Sequence, residues 1–180
     1  MTKFTKYGFP IAANEDVFSA KQVPEHLKHV LEDKKTYHFG SFGVCPFRVK
    51  HDVPTFGYLI HHPECGTILF ATDCAFIPYR FPNVKHLIIE ANYSDEILEQ
   101  RILSGEEHAA RRKRLLETHM EIGITIKGIM KCDPYGIKTI TLIHLSSQNG
   151  NAKEFQHLVA KSFGIPTYVA KPNLIVNLEK

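Results

Sequence analysis

Short apolar runs that each end at a polar residue constrain the fold of this chain more than any other feature. Residues 86–90 and 139–143 have the composition of strands buried on both faces of a sheet, and helix-compatible sequence follows each of them. Residues 56–60 and 67–71 flank a short connection that contains proline and glycine, which predicts an antiparallel hairpin. Early hairpins, followed by strands that alternate with helices, predict an α/β (α+β) layered sandwich with a mixed sheet.

Capping and turn residues indicate the remaining elements. Asn14 is a helix N-cap candidate, Pro24 suits a first helical turn, and Gly105 is expected to break a long helix capped at Ser94. Residues 36–50 should form two extended pieces joined by a tight turn. The predicted elements are a strand at 9–13, helices at 15–22, after Pro24, at 94–116, at 120–131 and at 152–163, and a closing hairpin of 167–169 with 173–176.

Size and composition indicate the class of protein. With 180 residues, 43% of them hydrophobic, the chain is long enough for one domain over residues 1–180 with a real core. The net charge of +3 is too small to indicate nucleic-acid binding by itself. The four cysteines have no CxxC spacing, and the sequence contains no signal peptide or membrane-length apolar stretch. We therefore expect a cytoplasmic protein with reduced thiols and no membrane partner.

Three potential metal ligands lie where a predicted strand gives way to a loop: His51, Asp73 and His144. The ends of strands converge at one edge of a sheet, so two imidazoles and one carboxylate from three strands could hold a metal ion together. The alternative is that each is an ordinary polar residue at a strand end, which is common in proteins.

Short sequence words around these residues carry a resemblance. In chain order the words are Val49-Lys50-His51-Asp52, Ala71-Thr72-Asp73, Glu90-Ala91-Asn92 and His144-Leu145-Ser146. In this order they resemble the metallo-β-lactamase superfamily, in particular its YycJ-like phosphodiesterases and nucleases and the phage anti-Pycsar proteins. The resemblance covers most of the chain, and it implies a metallo-β-lactamase-like αββα sandwich.

The resemblance implies a binuclear site for Zn²⁺ or Mn²⁺. In the family, a histidine at the position of His51 completes the shell of the first metal. An aspartate at the position of Asp73 bridges the two metals, and a histidine at the position of His144 binds the second. Two cations about 4 Å apart activate a water and stabilise the leaving oxygen of a phosphodiester.

The resemblance also implies catalytic roles for Glu90 and His119, beside that of Asp73. A carboxylate that accepts a hydrogen bond from an imidazole fixes its tautomer, so the other ring nitrogen can donate to the leaving group. Of the family's later motif only the histidine matches, in Thr118-His119-Met120-Glu121. The alternative is a solvent-exposed histidine at the start of a helix.

Substrate contacts are expected from the loop after His144. Ser146, Asn149 and Asn151 could hydrogen-bond a phosphate or a ribose, as the resemblance implies, or they could be ordinary turn residues. The basic run at 111–114 is explained most simply as a solvated helix face, with guidance of an anionic substrate as the alternative.

The most diagnostic motif of the superfamily, His-x-His-x-Asp-His, occurs nowhere in the sequence. Glu25, His26 and His29 lie on the helix predicted after Pro24 and do not replace it. By the resemblance, we expect an N-terminally truncated domain without the first strands and with an incomplete set of metal ligands. An uncovered sheet edge predicts a homo-oligomer, or completion by a partner chain.

The expected function is hydrolysis of phosphodiesters by a metal-activated water, with a nucleotide or a nucleic acid as the substrate and with nuclease or cyclic-nucleotide phosphodiesterase specificity. The alternative, which the missing motif favours, is a catalytically impaired or inactive homologue that serves as a binding or assembly protein. A third hypothesis takes the candidate residues as structural and the fold as an unrelated α/β domain.

Overall fold

A mixed sheet forms the centre of the structure. The computed structural model describes residues 2–179, without the side chains of residues 2 and 109–111. The strands are Ile11–Ala13 (β1), Lys28–Val30 (β2), Tyr37–Phe39 (β3), Phe42–Val49 (β4), Thr55–His62 (β5), Gly66–Ala71 (β6), Val84–Glu90 (β7), Thr139–Ile143 (β8) and Thr167–Val169 (β9). Within the described residues, β3 to β9 form one seven-stranded sheet in chain order, and β1 and β2 form a separate parallel pair.

Helices precede the sheet and connect its later strands. They are Thr2–Lys6 (α1), Glu15–Ala20 (α2), Asp95–Leu103 (α3), Ala109–Thr118 (α4), Ile122–Met130 (α5) and Ala152–Phe163 (α6). The Asn14 side chain accepts a hydrogen bond from the Val17 amide and so caps α2, as predicted. Gly105 has a left-handed backbone, with φ of 77°, in the break between α3 and α4.

The direction of the strands decides where their ends meet. β4 is antiparallel to β5, and β5 is antiparallel to β6, so β4 and β6 run the same way. β7, β8 and β9 follow as parallel neighbours of β6. The carboxyl ends of five strands therefore lie at one edge of the sheet, where α/β proteins place their ligands.

The main hydrophobic core joins the sheet to α5 and α6. Gly128 of α5 lies close enough to β7 that an added Cβ would be 3.7 Å from the Ile89 side chain. Its deeply buried apolar side chains include Leu69, Leu87, Ile89, Ile140 and Leu142 from the strands and Ile129, Phe155 and Val159 from the two helices. This packing holds β7 and β8 rigidly, so the residues at their ends are well positioned.

Most predicted elements are confirmed. The hairpin at 56–60 and 67–71 is β5 with β6, and 139–143 and 152–163 are β8 and α6 with the same bounds. Gly40, with φ of 61°, makes the tight turn between β3 and β4. The mixed α/β architecture is confirmed as well.

Two predicted elements are wrong. After Pro24 the chain makes a single 3-10 turn, Glu25–Leu27, and then extends as β2, because pairing with β1 satisfies its backbone. The closing hairpin does not form: β9 pairs in parallel with β8 after the α6 crossover, and residues 173–176 lie in no strand. Both errors concern pairing with strands that are distant in the sequence. Within the described residues, no helix is long and apolar enough to cross a bilayer.

Candidate metal centre

Loops at the carboxyl edge of the sheet carry the predicted ligands. His51 follows β4, Asp73 follows β6 and His144 follows β8, while Glu90 is the last residue of β7. Asp73 and His144 both have left-handed backbones, with φ of 50° and 58°. Aspartate and histidine tolerate this conformation better than most residues, but it remains uncommon and is concentrated at functional sites.

Asp73, His119 and His144 form a cluster of potential metal donors. One donor atom from each lies within 4.8 Å of the other two. The Nδ1 atom of His144 is 3.4 Å from Oδ1 of Asp73, and the ring centroids of His119 and His144 are 5.1 Å apart. The Asp73 and His144 side chains are 47% and 42% exposed, so a ligand could reach the cluster from solvent.

Glu90 lies beneath this cluster and is completely buried. Its Oε1 atom accepts hydrogen bonds from Nδ1 of His119 at 2.8 Å and from Nδ1 of His144 at 3.0 Å. Its Oε2 atom accepts a hydrogen bond from the amide of Cys74 at 3.0 Å. One carboxylate therefore orients both imidazoles and the loop that carries Asp73.

The three imidazoles of this region share a tautomer. Nδ1 of His51 donates to the carbonyl of Thr118 at 3.2 Å, just as Nδ1 of His119 and His144 donate to Glu90. When Nδ1 carries the proton of a neutral imidazole, Nε2 carries the lone pair. Metal-binding histidines are typically oriented in this way by a carboxylate or a backbone carbonyl.

His51 lies beside the cluster but outside the donor set defined above. Its ring centroid is 6.3 Å from that of His119, and its Nε2 atom is 3.2 Å from a carboxylate oxygen of the neighbouring Asp52. The structure thus brings two of the three predicted metal ligands together and adds His119 to them. A ligand role for His51 stays a prediction.

The environment of His119 favours its protonated form. The hydrogen bond to Glu90 is the largest cause that raises the pKa of His119 above its ordinary value of 6.5. Burial opposes this effect, and the negative charges of Glu90 and Asp73 reinforce it.

Similar proteins have been found by sequence and by structure. No protein-family model matches the chain. Over 166 residues the chain is 28% identical to the exodeoxyribonuclease WalJ of Streptococcus pneumoniae, in two strains. The alignment covers 85% of this chain, and the chain spans about 60% of the length of these curated relatives.

Solved structures decide the fold. The metallo-β-lactamase fold protein YhfI from Bacillus subtilis matches 93% of this chain and 65% of its own, with a TM-score of 0.67 and 16% identity. A metallo-hydrolase from Ignicoccus hospitalis matches 97% of this chain and 71% of its own, with a TM-score of 0.67 and 10% identity. The chain has the metallo-β-lactamase fold. The resemblance seen in the sequence words is confirmed, and WalJ supports its YycJ-like branch.

The donors at the edge of this metallo-β-lactamase fold suit a divalent transition metal. One carboxylate and two imidazoles, all from separate loops, are the oxygen and nitrogen ligands that Zn²⁺ and Mn²⁺ accept. The buried Glu90 supplies the outer hydrogen bonds that such ligands need. The residues present therefore fit a metal ion, with coordination positions left for water or substrate.

The predicted substrate-binding residues occupy different positions in the loop after β8. The Ser146 side chain accepts hydrogen bonds from the amides of Gln148 and Asn149, and Asn151 caps α6 by accepting from the amide of Glu154. Asn149 is only 2% exposed, and its side-chain oxygen has no partner among the described residues. Ser146 and Asn151 each have a structural task in this loop, and contact of the three residues with substrate stays a prediction.

Sequence reasoning missed two residues that support the site. The Asn92 side chain, 6% exposed, donates to the backbone carbonyl of His144 at 2.7 Å and so holds the left-handed turn. Thr125 of α5 donates to the backbone carbonyl of Glu90 at 2.8 Å. Asn92 belongs to the Glu90-Ala91-Asn92 word and could have been found there. Thr125 lies on an apolar helix and had no such signal.

Proposed function

We propose that this protein is a metal-dependent hydrolase that acts on phosphodiesters. The observation that carries the proposal is the buried Glu90 carboxylate, which orients His119 and His144 beside Asp73 at the solvent-exposed edge of the sheet. A fully buried carboxylate is costly to a fold unless it is well paired. A protein without catalytic activity has no need for a buried carboxylate that orients two imidazoles beside Asp73, a residue with a left-handed backbone.

In this proposal Asp73 and His144 hold the metal, with His51 as a further ligand from the loop after β4. Zn²⁺ or Mn²⁺ would supply Lewis acidity and lower the pKa of a bound water. The Nδ1 hydrogen bond of His144 keeps its Nε2 lone pair available for coordination. Nε2 of His51 would have to part from Oδ1 of Asp52, 3.2 Å away, before it could coordinate a metal. Asn92 and the Cys74 amide keep the two ligand loops in place.

His119 serves the leaving group. Water gives one proton to bulk solvent and its oxygen bonds to phosphorus, the P–O bond to the leaving group breaks, and the leaving oxygen takes a proton from His119. His119 then recovers a proton from solvent. The products are a phosphate monoester and an alcohol. Glu90 holds the His119 ring at 2.8 Å and stabilises its protonated state before the transfer.

The substrate class is supported by the curated relative, which is named an exodeoxyribonuclease. Since the chain spans about 60% of that relative, DNA as the substrate is part of the proposal. A cyclic nucleotide contains the same phosphodiester group and would meet the same three side chains. Hydrolysis rates on single-stranded DNA, RNA and cyclic mononucleotides separate these substrates.

Hydrolysis of bis(p-nitrophenyl) phosphate with added Mn²⁺ or Zn²⁺ tests the reaction. Asp73→Asn should lower the rate by about a hundredfold or more, because a neutral amide is a poor metal ligand. Asp133→Asn is the matched control, since Asp133 is also an aspartate with a left-handed backbone, with φ of 53°, and is exposed. A wild-type protein without metal by elemental analysis and without hydrolysis would overturn the proposal.

The metal content of variants separates the two roles available to His119. His119→Asn should keep the metal and lose hydrolysis, whereas His144→Asn should lose both. Loss of metal from His119→Asn, with metal retained in His51→Asn, would make His119 a ligand in place of His51. The cluster of Asp73, His119 and His144 is the observation behind that rival assignment.

A binding or assembly protein is the second candidate function. The cluster found among the described residues favours it, because three donors are too few for two metal ions. This candidate requires that Asp73→Asn leaves every measured activity unchanged. Completion of the site by a second copy or another chain stays a prediction. Light scattering tests whether the protein associates, and metal analysis of the same sample tests whether association adds bound metal.

A further inference from the structure

A groove of about 520 Å³ adjoins the metal cluster. His119 forms part of its lining, so the groove and the cluster share one imidazole. The rest of the lining includes Lys50, Phe76, Leu116, Ile124 and Lys127. The volume is within the range of about 300 to about 1,000 Å³ that small-molecule sites occupy.

The groove is built from the same loops as the metal cluster. Lys50 directly precedes His51, and Phe76 follows Asp73 by three positions. The Lys50 carbonyl accepts a hydrogen bond from the Ala75 amide at 2.8 Å, which joins the two loops. A ligand in the groove would therefore continue directly into the site of hydrolysis.

One wall of the groove is apolar and open to solvent. Phe76 and Leu116 are each 44% exposed, although both are large hydrophobic residues. Phe76 lies on the loop after β6 and does not belong to the main hydrophobic core. An exposed aromatic ring beside a phosphodiester site is suited to stacking on a nucleobase.

The groove carries charges of both signs, and two of them are lysine ammonium groups that a phosphate could meet. The ammonium groups of Lys50 and Lys127 make no ion pair among the described residues. Three carboxylates also line the groove, those of Asp95, Glu117 and Glu121. Glu121 accepts hydrogen bonds from the amides of Gly123 and Ile124 at the start of α5 and is thereby compensated, whereas Glu117 is exposed to solvent.

Asp95 adds a carboxylate to the lining, with one oxygen turned away from solvent. Its Oδ1 atom is buried and has no hydrogen-bond partner within the described part of the chain. Asp95 lines the groove together with Phe76.

We propose that this groove is a subsite for one unstacked nucleotide of a single-stranded nucleic acid. The base lies against Phe76, and the flanking phosphates meet Lys50 and Lys127. The subsite rests on the proposed phosphodiester hydrolase and names the form of its substrate. A paired base in a duplex has no free face for Phe76, so single strands and strand ends are the ligands.

Fluorescence anisotropy with a labelled oligothymidylate of about eight nucleotides tests the subsite, with EDTA present so that no strand is cleaved. Phe76→Leu should raise the Kd about tenfold by removing the stacking face. Tyr135→Leu is the matched control, because Tyr135 is fully exposed and lies near the amino end of β8, away from the groove. Its Kd should equal that of the wild type.

The salt dependence of the same binding tests the two lysines. Lys127→Gln should reduce the slope of log Kd against log salt concentration by about 0.7, the loss of one phosphate contact. Lys161→Gln, near the end of α6, should leave the slope unchanged. An equal Kd for Phe76→Leu and wild type, or equal affinity for duplex and single strand, would overturn the subsite.

Hydrolysis of bis(p-nitrophenyl) phosphate, which contains no base, separates this inference from the proposed function. A wild-type protein that hydrolyses this ester but binds oligothymidylate without dependence on Phe76 contradicts the subsite alone. A protein that binds the strand through Phe76 and hydrolyses no phosphodiester keeps the subsite and contradicts the proposed function.

Discussion

Glu90 shows how much one buried residue contributes to the candidate site. It ends β7 inside the core and accepts three hydrogen bonds, from His119, His144 and the Cys74 amide. A carboxylate with no exposure is tolerated only because these donors replace its water. The pairing of Glu90 with His119 was predicted from the sequence words, whereas the second imidazole was found only in the structure.

Glu90→Gln should impair both stability and hydrolysis. The amide group of glutamine would direct N–H groups at one of the three donors, which leaves a buried donor unpaired. We expect a loss of about 1 to 3 kcal/mol in the free energy of unfolding. Hydrolysis should fall by about a hundredfold, because His119 loses its partner. Urea unfolding and bis(p-nitrophenyl) phosphate assays measure the two effects. Glu96→Gln, at an exposed position of α3, should change neither.

His86 should make the stability of the fold depend on pH. It is 1% exposed, and its Nε2 atom donates to the carbonyl of Glu179. Burial is the main cause that lowers the pKa of His86 below its ordinary value of 6.5, and Lys85 and Lys138 add to this effect. Because the unfolded chain takes up a proton more readily than the folded one, stability is fully present above pH 6.5 and is lost as pH falls through the folded pKa.

Urea unfolding between about pH 5 and about pH 8 measures this dependence. His86→Gln should unfold with a smaller loss of stability on acidification than the wild type. His26→Gln, at an exposed position, should retain the slope of the wild type. An unchanged slope for His86→Gln would show that other groups cause the acid sensitivity.

At the scale of elements, parallel strands and the loops that follow them build the site. Asp73, Glu90 and His144 come from the ends of β6, β7 and β8, and the parallel pairing of these strands makes them neighbours. The helices then fix the loops: Asn151 caps α6 directly after the His144 loop. A substitution of Asn151 can therefore change the site through a lost contact with substrate or through a less stable α6.

Two substitutions of Asn151 separate helix capping from contact with substrate. Asn151→Ala should cost about 1 kcal/mol of stability, because the Glu154 amide loses its acceptor. Asn151→Ser keeps a capping oxygen and should retain most of that stability. If Asn151 binds substrate, as predicted from the sequence, the serine variant should still show a raised KM for DNA. A serine variant with wild-type kinetics would reduce Asn151 to a cap.

For the whole molecule, the core stabilises the fold, whereas the candidate site includes backbone conformations that cost stability. The core that joins the sheet to α5 and α6 is tightly closed, while Asp73 and His144 are held in uncommon backbone conformations at its edge. A metal that binds only the folded chain would offset part of that cost. A single domain over residues 1–180 stays a prediction.

Metal ions should therefore raise the stability of the folded chain. At a free concentration about a hundred times the Kd, Mn²⁺ or Zn²⁺ should add about 2.7 kcal/mol to the free energy of unfolding. His144→Gln should abolish this gain, whereas His157→Gln, exposed on α6, should retain it. Urea unfolding with metal and with EDTA gives the comparison. A gain of equal size in His144→Gln would place the metal elsewhere.

The sequence by itself determined the mixed architecture, most strands and helices, and the loops that carry Asp73 and His144, because apolar periodicity, caps and strand ends are local signals. Only the tertiary structure decided that β9 pairs in parallel with β8 and that no closing hairpin forms. It alone brought Phe76 to the groove beside His119 and gave His119 and His144 a shared carboxylate. Such contacts join residues far apart in the chain, and they form only when parallel strands pair across their helical crossovers.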